Sequence, residues 1–312
     1  MRHETILILG GTGFLGRHLA ARFLRDGDAH VIVYARDEKK HYEMRCEFAN
    51  PALRHVIGDV RDAERLREVV GQADIIIHAA AMKHITHCEE QPGEAYRTNV
   101  VGTENLIRAV KSGQKVVFIS TDKAVAPVNV YGATKMLMEA MFRASATNCV
   151  GVRYGNVLSS TGSVVPLFRS QAKAGREIPV THPDMTRFFL PVREAVNLVL
   201  AAINWRECGT IIVPKPRSAR IADVAQLFAD KYGVPWRVVG PRPGEKLHEC
   251  LLSERDAGLT ELRNGRAYIR AASGGFENLK RDAALDLKDF VSSGPLMSLD
   301  ELRAFLEEEG EL

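Results

Sequence analysis

Ile6-Leu7-Ile8-Leu9-Gly10-Gly11-Thr12-Gly13-Phe14-Leu15-Gly16 joins an apolar run to a glycine cluster and then to an amphipathic segment. Thr5–Leu9 predicts a strand and Leu15–Arg25 a helix. Glycines at 10, 13 and 16 fill the turn between them. Glycine lets such a turn tighten, lets backbone approach a pyrophosphate and lets the helix pack close to the strand. The helix N-terminus then offers free N–H groups to an anion. Gly10, Thr12, Gly13, Phe14, Leu15 and Gly16 are therefore expected to line a dinucleotide site.

Outward from this stretch, strand-like and helix-like segments alternate. His30–Tyr34, Ala73–His78, Lys115–Ser120 and Cys149–Tyr154 read as strands, and Thr98–Ser112 and Tyr131–Ala144 as helices. The strands are continuously apolar, which argues for a parallel sheet covered on both faces. The expected fold is α/β, a Rossmann-type doubly wound parallel sheet with a smaller C-terminal α/β substrate lobe. Residues 1–160 are assigned to the dinucleotide-binding domain, together with roughly 188–214. Residues 161–187 and 215–312 are assigned to the second lobe. After Ser159, proline- and glycine-bearing loops separate helices at Arg193–Asn204 and Ile221–Tyr232. The acidic segment Leu299–Glu309 reads as a solvated surface helix.

Composition excludes several classes. The chain has 312 residues, 46% hydrophobic and 26% charged, enough to bury a large core. Its net charge of +3 comes from 42 basic and 39 acidic residues that are interspersed, which argues against nucleic acid as a partner. Five cysteines at wide spacing show no metal-ligand pattern and read as reduced thiols, so no metal site and a cytoplasmic location are expected. The apolar run at Ile6–Gly10 is too short for a signal peptide or a membrane span, and no run of eighteen apolar residues occurs.

The end of the second strand selects the cofactor. Sites that prefer NAD place an acid there to bind the ribose hydroxyls. Here Tyr34-Ala35-Arg36-Asp37 precedes Lys39 and Lys40. Arg36 suits a 2′-phosphate because its planar cation makes two parallel hydrogen bonds. NADP is the expected cofactor and Asp37 leaves NAD open. Asp59 and Val60 follow a further short strand and are placed near the adenine. Ala79, Ala80 and Ala81 follow the strand ending at His78, small enough for a cofactor to lie on backbone. Lys83 follows them. Asn99 begins the next helix.

The stretch 120–135, Ser-Thr-Asp-Lys-Ala-Val-Ala-Pro-Val-Asn-Val-Tyr-Gly-Ala-Thr-Lys, carries the chemistry. Tyr131 and Lys135 share a helix face. An ammonium beside a phenol favours phenolate, which can take an alcohol proton while hydride leaves the same carbon. Asp122 and Lys123 add a second acid/base pair beside Thr121. An alcohol dehydrogenase has no use for that pair, whereas elimination of water does.

These residues resemble the extended short-chain dehydrogenase/reductases that act on nucleotide sugars. More closely, the chain is similar to the inverting UDP-N-acetylglucosamine 4,6-dehydratases that begin pseudaminic acid synthesis (the PseB type). The markers are the glycine loop, Tyr34–Glu38, His78–His84, the 120–135 block, Arg153–Val157, Met185–Phe188 and Arg242–Glu249. The resemblance implies that Tyr131 deprotonates the sugar 4-hydroxyl as hydride leaves C4, with Thr121 holding that hydroxyl and Lys135 binding the nicotinamide ribose. It implies that Lys123 takes the C5 proton and Asp122 protonates the departing 6-hydroxyl. Hydride then returns to C6 and C5 is reprotonated on the opposite face. Tyr131 favours the inverting type, since retaining relatives often carry Met there. Tyr154, Gly155, Asn156 and Val157 are added to the cofactor site. A UDP-sugar is expected against Lys83, Asn156, Val164, Val165, Arg187, Arg242 and Glu245. Glu245, Lys246, His248 and Glu249 read equally well as an ion-paired surface turn.

Within the same fold, a 4-epimerase would share Tyr131 and Lys135 without needing Asp122 and Lys123. A 5,6-dehydratase, a dehydratase of another nucleotide sugar and a cofactor-binding regulator are further alternatives. A homo-oligomer is expected through the helices Asn99–Lys111 and Tyr131–Ala144. Met136, Met138, Met141 and Phe142 either serve that interface or face the core.

Overall fold

The computed structural model describes residues 4–27, 29–271, 282 and 284–312. Its first half repeats strand and helix: β1 (Glu4–Leu9), α1 (Phe14–Asp26), β2 (Ala29–Ala35), α2 (Glu38–Phe48), β3 (Leu53–Ile57), α3 (Ala63–Val70) and β4 (Ile75–His78). Next come α4 (Ile85–Glu90), α5 (Pro92–Tyr96), a π-helical turn at Arg97–Val101, α6 (Gly102–Ala109), β5 (Lys115–Thr121), α7 (Val130–Ala144) and β6 (Cys149–Tyr154). β1 to β6 pair in parallel in the order 3-2-1-4-5-6. This order reverses between β1 and β4, where the carboxyl ends open a crevice.

Continuous apolar strands fit this position because successive side chains enter opposite faces. Leu7, Leu9, Ile32 and Tyr34 face Leu66, Val69, Leu106, Met138 and Phe142 of α3, α6 and α7. Their neighbours Ile6, Ile8, Val31 and Val33 face Leu19, Phe23, Met44, Val196 and Val199, from α1, α2 and the later helix α9. Met138 and Phe142 are thus core residues, whereas Met136 and Leu137 are 45% and 43% exposed.

The chain then leaves the sheet and returns to it. β7 (Asn156–Val157), α8 (Val164–Lys173), β8 (Ile178–Val180) and β9 (Thr186–Leu190) lead into α9 (Val192–Asn204) and β10 (Thr210–Pro214). β10 lies parallel to β6 in the large sheet. β11 (Arg217–Arg220), α10 (Ile221–Tyr232), β12 (Trp236–Val238), α11 (Glu254–Ala257), β13 (Thr260–Arg263), β14 (Arg266–Ile269) and α12 (Leu299–Glu308) follow. The second lobe has its own core, in which Val165, Phe168, Leu227 and Phe228 meet Leu302, Phe305 and Leu306.

Two expectations change here. The hairpin β13–β14 falls in the range assigned to the second lobe, yet it extends the large sheet antiparallel to β10. Its turn, Asn264-Gly265, has φ of 49° and 73°, the positive pair a two-residue hairpin needs. Residues 272–281 and 283 of that range lie outside the described residues. α12 is not a solvated helix, because Leu302, Phe305 and Leu306 form a buried stripe behind a Ser298–Glu301 capping box.

Candidate functional site

At the crevice, the Gly10 amide donates to the Tyr34 carbonyl at 2.8 Å and the Gly13 amide to the Gly10 carbonyl at 2.9 Å. Gly10 has φ of 80°, and a Cβ there would stand 2.8 Å from the Ala80 nitrogen. One on Gly16 would stand 2.6 Å from the Gly10 oxygen. The two glycines therefore let the loop, α1 and the 79–81 segment press together. Gly13 caps α1 with no side-chain hydrogen bond, so the first-turn amides remain for an anion.

At the end of β2, Arg36 is 58% exposed in its side chain, with its guanidinium 3.7 Å from Asp59. Asp37 is the N-cap of α2: its carboxylate accepts from the Lys40 amide at 3.1 Å and lies 3.4 Å from Lys40 Nζ. The acid expected as an alternative ribose ligand thus also caps a helix start, and Lys40 is paired with it. Asp59 accepts from the Arg61 amide, Nε and Nη2 at 3.0, 2.8 and 2.6 Å, so its carboxylate too is committed. Val60 is buried, and its carbonyl accepts from Asn105 at 3.1 Å.

Asn99 sits inside the π-helical turn rather than at a helix start. The helical segment begins at Pro92, because Pro at the first position sets φ for it. The Asn99 amide accepts from the Met82 N–H at 2.8 Å and donates to the Met82 carbonyl and to Thr134 Oγ1, both at 2.9 Å. It fastens the loop after β4 to α7. Lys83 next to it is brought below the ordinary lysine range by burial.

The carboxyl end of β5 turns through Asp122–Ala124 into α7, whose N-cap Asn129 accepts from the Gly132 amide at 2.7 Å. This turn gathers the reactive groups. Asp122 is fully buried, and its Oδ1 accepts from Thr121 Oγ1 at 2.8 Å and from Lys123 Nζ at 3.0 Å. Lys123 Nζ also lies 3.2 Å from Glu249 Oε1 and 3.4 Å from Asn156 Oδ1. Burial alone would push Lys123 down, but the two carboxylates more than offset it and hold its ammonium above the ordinary lysine range.

Tyr131 is pushed up to about 12 by burial, against the downward pull of the Lys123 ammonium and the Thr121 hydroxyl. Lys135 is 4% exposed, its Nζ lies 3.1 Å from Met138 Sδ, and burial brings it down to about 8.

The second lobe closes the site. Gly155 permits close packing: a Cβ there would meet Phe188 Cβ at 2.6 Å and Asp122 Oδ2 at 3.3 Å. Tyr154 and Val157 are buried beside it, and burial raises the Tyr154 phenol. Ser163 caps α8 with no side-chain bond, leaving the amides at Val164 uncapped, whereas the Val165 side chain fills the second core. Arg187 is buried; it donates to the Thr186, Lys246 and Leu247 carbonyls at 2.7, 3.0 and 3.3 Å. In this state it braces a loop rather than presenting a fork to a ligand. Arg242 is exposed and 3.9 Å from Glu245, whose carboxylate accepts from the Arg242 amide at 3.2 Å.

Sequence reading undervalued the other half of the 242–249 block. Asn129 donates to the Gly244 carbonyl at 2.7 Å and Lys246 to the Val125 carbonyl at 2.6 Å, so this block seals the β5–α7 turn from outside. His84 was also passed over; a Cβ on Gly162 would collide with its ring at 2.2 Å. Among the described residues no group of three or more His, Cys, Asp or Glu could hold a metal ion, and no helix is long and apolar enough to cross a membrane.

The model of the polysaccharide biosynthesis protein family matches residues 6–270. The chain belongs to this family. Among curated relatives of this family member, the UDP-N-acetylglucosamine 4,6-dehydratase (inverting) of Campylobacter jejuni subsp. jejuni serotype O:2 is 41% identical over 269 residues, 82% of this chain and 80% of that one. The UDP-glucose 4-epimerase of Rickettsia canadensis is 41% identical over 274 residues, 83% and 80% of the two chains. The X-ray structure of Pen from Bacillus thuringiensis superposes with a TM-score of 0.91 at 31% identity, covering 100% of this chain and 99% of that one.

Proposed function

We propose that this family member is an NADP-dependent UDP-N-acetylglucosamine 4,6-dehydratase of the C5-inverting (PseB) type. It would give a UDP-4-keto-6-deoxy-hexosamine for polysaccharide or pseudaminic acid synthesis. One observation carries this reading: Lys123 is paired with buried Asp122, itself bonded by Thr121, at the strand end that leads into the Tyr131 helix. Oxidation and reduction at C4 need only the phenol. Elimination across C5–C6 needs a further group to move the C5 proton and another to protonate the leaving hydroxyl.

The crevice fits a dinucleotide. The uncapped α1 amides suit its pyrophosphate and Arg36 its 2′-phosphate, and bound there it supplies a hydride acceptor and donor. In this reading Tyr131, with Thr121, takes the 4-hydroxyl proton. Lys135 behind it adds positive charge at the buried face. In this reading Lys123 exchanges a proton at C5 and Asp122 passes one toward the 6-hydroxyl. The uncapped α8 amides and Arg242 suit the UDP diphosphate.

A second reading, UDP-sugar 4-epimerase, is favoured by the Rickettsia relative at the same identity. Mass spectrometry of the product separates the two. A dehydratase converts UDP-N-acetylglucosamine to a product lighter by one water, and an epimerase leaves the mass unchanged.

A further inference from the structure

Glu249 reaches the buried charge cluster from the C-terminal lobe, and no step above uses it. It is 1% exposed. Its Oε1 lies 3.2 Å from Lys123 Nζ and 4.0 Å from Arg187 Nε. Its Oε2 has no hydrogen-bond partner and lies 3.8 Å from Lys246 Nζ. The backbone around it is pinned: the Glu249 amide donates to Ser292 Oγ at 2.8 Å, and the Ser292 amide donates to the Glu249 carbonyl at 2.8 Å. Ser292 Oγ is itself 2.7 Å from Thr186 Oγ1. A buried carboxylate held this firmly costs free energy unless it has a charge to face.

Lys123 is that charge. An ammonium has three protons, and three acceptors surround its Nζ: Asp122 Oδ1, Glu249 Oε1 and Asn156 Oδ1. We propose that Glu249 is a positioning residue that fixes the place and the charge of Lys123, joining the C-terminal lobe to the proton-transfer pair at the end of β5. The inference rests on the dehydratase reading only for what Lys123 then does, not for the clamp itself.

The physical logic is a competition over one proton. Lys123 can receive the C5 proton only after releasing its own, and Asp122 is the neighbour whose protonated form elimination also needs. Moving the proton 3.0 Å from Lys123 to Asp122 turns an ion pair into a neutral base beside a neutral acid. Glu249 opposes that move, because its charge favours the ammonium; Arg187 works the other way on the same lysine. Thr121 donates to Asp122, Tyr131 feels both charges, and Lys246 shares Glu249. Glu249 therefore keeps the pair in its ionic form in the free protein, and a substrate must displace that balance.

The test labels the lysines of the full chain with ¹³C and follows their Cε resonances against pH, with Lys123 identified by the signal lost in Lys123→Arg. In the wild type the Lys123 signal should remain that of an ammonium above the pH at which exposed lysines titrate. In Glu249→Gln, which keeps the size and an acceptor oxygen, it should titrate about one to three pH units lower. Identical titrations in both proteins would overturn the proposal. Should Glu249→Gln fail to fold, the wild type alone decides, since a Lys123 that titrates at or below the ordinary lysine range also overturns it. The pH profile of kcat on UDP-N-acetylglucosamine is read alongside, where the limb governed by Lys123 should move the same way with KM unchanged. A shifted resonance with an unshifted kcat profile would uphold the clamp and remove Lys123 from the proposed dehydration.

Discussion

Arg153 grips Glu139 with two parallel hydrogen bonds, Nε to Oε1 at 2.9 Å and Nη2 to Oε2 at 2.7 Å, and both residues are buried. A third bond runs from Arg153 Nη1 to Asp256 at 2.9 Å, and Ser120 donates to Glu139. The cluster ties α7 and the carboxyl end of β5 to β6 and α11. Removing one member of a buried pair leaves its partners' charges uncompensated, at a cost of about 3–5 kcal/mol. Arg153→Met should therefore destabilise the chain by about that amount in urea titration. A loss under about 1 kcal/mol, the worth of an exposed pair, would contradict the role given to this cluster.

Lys135 makes stability depend on pH. Folded, it releases its proton near pH 8; unfolded, near about 10.4. Between these values the unfolded chain binds more protons, so stability rises with pH in that window. Below pH 8 the full cost of burying the ammonium is present. Lys135→Met should thus have a higher Tm than the wild type at pH 7, by a few degrees, and the gap should close between pH 8 and 10. A gap that is constant or widens across that range would show that Lys135 is not a buried ammonium.

On the proposed reading, Arg36 selects NADP over NAD. Its side chain is largely exposed and the nearby acids are committed, Asp37 to the α2 cap and Asp59 to Arg61. Arg36→Ala should weaken NADP⁺ binding by about 10- to 100-fold, the loss of one or two charge-assisted hydrogen bonds, and leave NAD⁺ nearly unchanged. Calorimetric titration of both cofactors checks this. Equal weakening of both would mean that Arg36 does not reach the 2′ position.

Oligomerisation is expected to use the outer face of α7, where Met136 and Leu137 are exposed while Met138 and Phe142 turn inward. Leu137→Glu should lower the mass seen by light scattering without lowering Tm. An unchanged mass for a protein that is oligomeric in wild-type form would place the interface elsewhere.

Much of this was legible in the chain. Continuously apolar runs and the glycine spacing suffice for the parallel strands β1, β2, β4, β5 and β6 of the large sheet, and the 120–135 block reads directly because its members are close in sequence. α2 escaped because Glu38–Phe48 buries only His41 and Met44 and otherwise reads as charged loop. The Asp37 cap marks its start. The β13–β14 hairpin carried its signal in Asn264-Gly265, and α12 in Ser298 and Glu301, but charge drew attention away from both. Glu249 is different in kind. Nothing local distinguishes it from Glu245, and only the return of the second lobe across the β5–α7 turn brings it to Lys123. Lys123 acts on Tyr131 for the same reason: helical spacing points to Lys135, and the turn after β5 adds Lys123.

The most direct measurement is proton NMR of the purified protein with UDP-N-acetylglucosamine in deuterated water, without added cofactor. The account predicts loss of the 6-hydroxymethyl signal, growth of a 6-methyl signal and deuterium at C5, with couplings that report inversion. Appearance of UDP-N-acetylgalactosamine with no methyl signal would contradict it and leave Asp122 and Lys123 without the role assigned to them.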